Sequence, residues 1–298
     1  MDFKNKIIND VYFSPSGYSS INNTFQEAKK KDKSITLADV KAWFDTNIQR
    51  TTQLRGYNSY VAPRANFEYE VDLFFITKPE DLEYKIGMVV IDVFSKFCSV
   101  LLLKSKTPDV VLPALKQSFI TLGGTPNVIV SDAEGALDSS ELNKFYEENG
   151  IRHIITRNHA GVAERMVRTL KGMIFKRLKH EPNKTWHEII HECLVVLNYM
   201  RKSTATGFIP NEARKKENEA LVRMNLEANR NNTRKYPPVE IGSLVRLFRK
   251  RKNFEKESQA LWSEKRYEVK KIEEVPDVGK LYHLVGHKQP VLRAEILL

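Results

Sequence analysis

Apolar and polar positions divide the chain before any chemistry is considered. Three β-branched and aromatic stretches follow one another near 68–77, 86–94 and 97–104, a pattern that predicts an antiparallel meander. A helical pattern near 108–121 then leads through the turn Gly123-Gly124-Thr125-Pro126 to a strand near 127–131. Another helix and strand are predicted at about 138–149 and 151–155. From Val162 onward, Ala163, Met166, Val167, Leu170 and Ile174 recur at helical spacing as one apolar face. A further helix carries Trp186, Ile189, Ile190, Leu194, Val195 and Leu197, a stripe that reads as core. Strands and helices in this order predict an α/β domain whose sheet is covered by helices.

The flanks read differently. In residues 1–50, Asn23–Lys30 reads as a short helix, and Thr36 has cap chemistry for a second through Leu37, Val40, Trp43 and Phe44. This helical module either contacts a partner or DNA ends, or is a packing extension of the core; both readings stay open. Residues 51–67, with Arg55, Gly56, Pro63 and Arg64 and little periodicity, read as an extended linker into a core at 68–210. A charged linker or helix is expected at 211–236, ended by Pro237-Pro238. Strands at 243–248, 266–274, 280–285 and 289–294 then suggest a small β-barrel spanning 237–298.

Charge narrows the choice of partner. The 298 residues hold 48 Lys and Arg against 37 Asp and Glu, a formal net charge of +11. Such a balance favours a polyanion and predicts binding that weakens steeply with salt, so nucleic acid is the natural candidate. No apolar run reaches the roughly 18 residues of a membrane span and no secretory signal pattern opens the chain, so an intracellular protein without a membrane partner is expected. Both cysteines, Cys98 and Cys193, lie in apolar stretches and read as buried thiols.

Three carboxylates stand where they could act together. Asp72 interrupts the strand-like run Tyr69–Ile76, Asp132 ends Val128–Ser131, and Glu164 opens the amphipathic helix, sharing its polar face with Arg168 and Lys171. Carboxylates gathered from two strand ends and a helix bind hard divalent cations such as Mg²⁺ or Mn²⁺. Two such ions suit phosphodiester chemistry. Arg165, Arg168 and Lys171 could then hold phosphates near the helix N-terminus. Against this, most strand or turn carboxylates are surface groups. Asp92 competes with Asp72, although it can equally close the turn into the next strand through side-chain to backbone hydrogen bonds. Asn158 and His159 lie in the loop before Glu164 as candidate substrate contacts, with a plain polar loop as the alternative, and His153 has no partner at metal-ligand spacing. In the barrel, Arg246, Arg249, Lys250, Arg251 and Lys252 form a basic run suited to phosphate contact, and Trp262 is either a stacking residue or barrel core.

These residues resemble the retroviral-type integrases and transposases that carry an Asp, Asp, Glu triad on an RNase H-like fold. The resemblance rests on Val71-Asp72-Leu73, the stretch Val90–Lys96, Ser131-Asp132, and Val162-Ala163-Glu164-Arg165 running into Arg168-Thr169-Leu170-Lys171. Leu197-Asn198-Tyr199 with Ser203–Pro210 looks like the stretch that follows the family's catalytic helix. Gly242–Leu247, Phe254 and Leu261-Trp262-Ser263 look like the barrel of Polinton/Maverick and virophage integrases. The resemblance implies a mixed five-stranded sheet, catalysis by Asp72, Asp132 and Glu164 through two Mg²⁺ or Mn²⁺ ions, and an SH3- or chromodomain-like DNA-binding barrel. It further implies trimming of element DNA ends, joining of their 3′ hydroxyls to double-stranded target DNA, a dimer or tetramer on DNA, and residence in a host nucleus or viral particle. The chain departs from the family in four respects. Glu164 follows Asp132 by only 32 positions, Glu134-Gly135 replaces an earlier glycine, Ala136-Leu137 stands at a common acidic-aromatic pair, and Val167 stands at a frequent Asn. No His or Cys occurs in residues 1–97, so the family's N-terminal zinc site is not expected. A nuclease that cuts without joining, and a DNA-binding relative with a decayed site, are the competing readings.

Overall fold

Strand β1 (Glu68–Phe75) sorts its side chains between two layers. Its odd positions Tyr69, Val71 and Leu73 pack into one core cluster, whereas Phe74 on the even face joins another. The computed structural model describes residues 3–48, 56–77, 81, 83–132, 135–157, 161–249 and 261–298. These fall into two compact units, one of Met1–Gln53 with Arg249–Arg266 and one of Leu54–Phe248 with Tyr267–Leu298.

In the larger unit β1 pairs antiparallel with β2 (Ile86–Asp92), which pairs antiparallel with β3 (Cys98–Leu103). On its other side β1 runs parallel to β4 (Val128–Asp132), and β4 parallel to β5 (Arg152–Thr156). The resulting order β3-β2-β1-β4-β5 is that of an RNase H-like sheet, as expected. Helices α4 (Pro108–Leu122) and α5 (Ser140–Glu148) cover the odd face through Val111, Leu115, Phe119, Leu142 and Tyr146. Helix α6 (Gly161–His180) and helix α7 (Trp186–Val195) cover the even face through Ala163, Leu170, Ile174, Trp186 and Ile189. Thr185 and Glu188 form a capping box that starts α7, and the Trp186 indole donates to the Tyr84 carbonyl at 2.8 Å.

Helix α7 passes into a π-helical turn, Val196–Met200. Within it, buried Asn198 accepts from the Cys98 N–H at 3.0 Å and donates to the Cys98 carbonyl at 2.7 Å, satisfying the edge strand β3 with a side chain. Two more helices follow, α8 (Pro210–Ala213) and α9 (Glu219–Ala228), within the stretch read as a charged linker or helix. The described part of the segment read as an extended linker, 56–67, is anchored along its course. Ala62 is buried with Phe94, Val222 and Leu226, and Asn58 bridges to Asn232.

Strands β6 (Leu244–Phe248), β7 (Trp262–Val275), β8 (Gly279–Leu284), β9 (Val291–Leu292) and β10 (Ile296–Leu297) form the C-terminal sheet in the order β10-β6-β7-β8-β9. Val245, Leu247, Val269, Tyr282, Leu284 and Ile296 close its core, consistent with an SH3-like domain. The strand read at 289–294 is instead two short strands split by a 3-10 turn at Arg293–Glu295. That turn exists because Glu295 is fully buried and polar: its carboxylate accepts from the Thr156 hydroxyl, the Arg157 N–H and the Leu292 N–H, fastening this sheet to β5.

The smaller unit contains α1 (Phe3–Tyr12), α2 (Ile21–Lys31) and α3 (Leu37–Asn47) around Ile8, Val11, Ala28, Val40, Trp43 and Phe44. Thr36 and Asp39 form a capping box at α3. Among the described residues no helix is long and apolar enough to cross a membrane.

Candidate active site

The two aspartates are brought together by strand register. Val71 pairs with Ser131 across the parallel β1–β4 ladder, so the next positions, Asp72 within β1 and Asp132 at the carboxyl end of β4, are neighbours on adjacent strands, which lie about 4.8 Å apart. Neighbouring positions in register project to the same face, here the one covered by α6. Both residues are half-buried.

The helix that carries Glu164 is fixed to β1 through a contact that sequence reading missed. Glu70, on the same face of β1 and only 8% exposed, accepts the backbone N–H groups of Val162 at 2.7 Å and Ala163 at 2.8 Å. A buried carboxylate thus ties down the first turn of α6, the turn that holds Glu164, and satisfies N–H groups that a helix start leaves over. Farther along, the Lys171 ammonium lies 5.9 Å from the Phe74 ring centroid, so α6 advances along β1 in the strand's own direction. Glu164, Arg168 and Lys171 share one stripe of that helix at intervals of four and three residues. The signal for Glu70 was available in its spacing of two from Asp72, which on a strand means one face.

Burial controls the ionisation of this face. Glu68, two positions before Glu70, is held up at about 8, chiefly by burial and then by the charge of Glu70. Burial also raises Glu70, opposed by the two α6 N–H groups. Asp92 is occupied elsewhere: it accepts from the Phe94 and Ser95 N–H groups and from the Ser95 hydroxyl at 2.5 Å, closing the turn into β3. Lys96 follows in the left-handed region at φ 68°, with its side chain among Glu70, Asp92 and Glu68. His153 shares a hydrogen bond with Ser131 at 2.8 Å, and burial lowers its pKa to about 4, so it is a neutral packing residue.

The remaining candidates are distributed. Arg165 and Arg168 are exposed on α6. Arg246 sits on the outer side of β6, and Arg249 just follows that strand; neither is brought to the carboxylates by an element described above. Asn158, His159, Lys250, Arg251 and Lys252 lie outside the described residues, as do Glu134 and Phe254. Trp262 is buried, and both cysteines are free and buried. Among the described residues no group of three or more His, Cys, Asp or Glu is gathered as a metal-ligand cluster. The donor chemistry of Asp72, Asp132 and Glu164, all oxygen, is nevertheless that of a hard divalent cation.

No family model matches the sequence, and no curated protein is similar to it. Solved structures are. An STLV intasome in complex with PP2A regulatory subunit B56 gamma aligns over 97% of this chain and 99% of its own, with 14% identity and a TM-score of 0.58, a likeness of fold. The HTLV-2 integrase catalytic core domain, solved with magnesium, is 25% identical over 51% of this chain and 98% of its own, with a TM-score of 0.45. The BIV integrase catalytic core domain is 18% identical over 52% of this chain and 97% of its own, with a TM-score of 0.43.

Proposed function

We propose that the chain is an integrase of a mobile element or DNA virus, a polynucleotidyl transferase that trims the 3′ ends of its element and joins them to target DNA. The observation that carries this reading is the register that sets Asp72 of β1 beside Asp132 at the carboxyl end of the parallel β4, next to the helix whose first turn Glu70 fixes and which holds Glu164. Asp72, Asp132 and Glu164 would hold Mg²⁺ or Mn²⁺. Two such ions, when bound, activate the attacking oxygen and stabilise the leaving one. Arg168 and Lys171, on the stripe of α6 that begins with Glu164, hold the backbone phosphates of the strand being cut, with Arg165, Asn158 and His159 as further contacts. Arg246, Arg249, Lys250, Arg251 and Lys252 anchor DNA without reading its sequence.

The division of labour follows the sequence: catalysis in 68–210, duplex anchoring in 237–298, and assembly or end contact by 1–50. Holding two ends requires at least two copies. We further propose that the chain stands near Polinton/Maverick and virophage integrases, a reading that rests on the barrel segments Gly242–Leu247, Phe254 and Leu261-Trp262-Ser263. Such a protein works in the host nucleus or a viral particle.

The test is incubation of the protein with Mn²⁺ or Mg²⁺, supercoiled plasmid and labelled double-stranded element ends, comparing wild type with Glu164→Gln. Label joined to plasmid by wild type alone is the expected result. Nicking without joining would make it a nuclease, and salt-sensitive binding with neither activity a DNA-binding protein with a decayed site.

A further inference from the structure

Helix α7 opens with Trp186 and then His187-Glu188-Ile189-Ile190-His191, two histidines four residues apart and therefore on one face, with a glutamate between them. The same H-E-x-x-H pattern on a helix holds zinc in metallopeptidases, where the glutamate serves as general base. Here the glutamate is committed elsewhere. Its carboxylate accepts from the Thr185 N–H at 2.6 Å and from the Thr185 hydroxyl at 2.7 Å, closing the cap of the helix, so peptidase chemistry has no base. The two imidazoles remain. Trp186, Ile189, Ile190 and Cys193 are buried against the core, whereas His187 is half-buried and His191 exposed.

The His187 ring is held in the way that metal-ligating histidines are held. Its Nδ1 lies 2.6 Å from the Asp81 carboxylate, which only accepts, so Nδ1 carries the proton. Asp81 is almost fully buried and is itself fixed by accepting from the Glu83 and Tyr84 N–H groups, each at 2.9 Å. The Tyr84 ring packs edge-to-face on the imidazole, with centroids 5.4 Å apart. A carboxylate on one ring nitrogen sets the tautomer that leaves the lone pair of the other, Nε2, to a metal. The Thr185 hydroxyl, 3.4 Å from Nε2, donates its one proton to Glu188 and does not compete.

Glu83 Oε2 stands 4.0 Å from Nε2. Around a tetrahedral zinc, a nitrogen and an oxygen ligand are about 3.4 Å apart. The Glu83 side chain, more than half exposed, covers the difference by a small movement. The ligands come together only with that movement and a turn of the exposed His191, and before it no group of three is gathered among the described residues. Glu192, the next acid on α7, is instead paired with Arg177 at 3.6 Å and Lys184 at 3.5 Å.

We propose that His187, His191 and Glu83 bind a zinc ion, with Asp81 orienting His187 from behind and water completing the shell. Two nitrogens and one oxygen suit Zn²⁺, whereas Mg²⁺ prefers oxygen alone, so this site and the carboxylates Asp72, Asp132 and Glu164 select different ions. The ion ties α7 to the connection between β1 and β2, where the Trp186 indole already meets the Tyr84 carbonyl, and its binding energy adds to the stability of the folded chain. The site serves no step of the joining reaction and does not depend on it.

The experiment titrates Zn²⁺ into the metal-stripped full chain by calorimetry, in excess Mg²⁺, and records thermal unfolding with and without zinc. Wild type is compared with His191→Ala, Asp81→Asn and Asp132→Asn. Wild type should bind zinc and gain thermal stability from it. Asp81→Asn should lose about ten- to a hundredfold in affinity, the cost of removing a carboxylate behind a ligating histidine. His191→Ala, at an exposed position, should lose at least as much together with the zinc-dependent thermal shift, and Asp132→Asn should bind as wild type does. No binding by wild type, or unchanged affinity in either His191→Ala or Asp81→Asn, would overturn the proposal. Binding lost in Asp132→Asn would overturn it too, by placing the zinc on the candidate active site. If circular dichroism shows Asp81→Asn misfolded, His191→Ala decides alone.

Discussion

Glu68→Gln should make the protein more stable in alkaline buffer. Glu68 is 5% exposed on the even face of β1, with the Tyr60 hydroxyl hydrogen-bonded to its carboxyl, and burial holds its pKa at about 8 against an ordinary 4.5. The folded chain therefore keeps a proton that the unfolded chain releases. Stability from this group is fully present below about 4.5, declines as pH rises, and is lost above about 8. At about 1.4 kcal/mol per pKa unit, ionisation costs about 3 kcal/mol at pH 7 and about 5 kcal/mol at pH 9. These are large fractions of a typical domain's stability. The variant's amide keeps an acceptor for the Tyr60 hydroxyl and has no proton to lose. Urea midpoints followed by circular dichroism at pH 5, 7 and 9 should start close together and separate in favour of the variant by several kcal/mol at pH 9. Parallel curves would refute the assignment, because they would mean that Glu68 ionises alike in both states.

Other substitutions isolate other links. Asp72→Asn, Asp132→Asn and Glu164→Gln should each reduce joining by about a hundredfold to a thousandfold, the several kcal/mol attributed to metal stabilisation, while DNA binding by anisotropy stays within about threefold. Chelation by EDTA should have the same effect on wild type. Glu70→Ala leaves the Val162 and Ala163 N–H groups buried without an acceptor and should cost about 2–5 kcal/mol in chemical denaturation, with Glu70→Gln recovering part of it. Asn198→Leu strips both backbone groups of Cys98 of their partner and should cost about 2–4 kcal/mol, with faster amide exchange along β3 as the local readout. Glu295→Ala should release the C-terminal sheet from β5, seen as new protease cleavage near 287–295 at unchanged far-ultraviolet dichroism.

The elements of the core were legible because their apolar periods are long and switch cleanly from two to near four residues. β4 presents an apolar run ended by a single acid, α6 opens with a single acid in its first turn, and β1 carries Glu68, Glu70 and Asp72 at alternate positions on one face. What resisted reading has physical causes. Helix α1 carries Phe3, Ile7, Ile8 and Val11 at helical spacing but neither an acid in its first turn nor a base in its last, so the ends gave no signal. The strand read at 289–294 is broken because Glu295 bonds to residues 138 and 139 positions away, a constraint invisible to local pattern. The 56–67 segment lacks periodicity because single residues such as Ala62 and Asn58 anchor it against distant partners. Asp92 could be weighed against Asp72 from sequence, since the following Val93-Phe94-Ser95 offers backbone donors at turn spacing; the three hydrogen bonds to it show how fully that turn employs it.

Glu68, Glu70 and Asp72 stand on one face of a central strand, an arrangement that like-charge repulsion and burial oppose unless each charge is answered. Each is answered differently. Glu68 is relieved by a proton, and Glu70 by two N–H groups at the start of α6. Asp72 stands half-buried beside Asp132, where the proposed divalent cation would add to its compensation. Because the helix that answers Glu70 also holds Glu164, charge compensation and site assembly are one event at that position and separate events at Glu68. Glu68→Gln should therefore change the pH dependence of stability and leave joining at pH 7 intact. Glu70→Ala should lower stability and joining together, and Glu70→Gln should recover both in parallel.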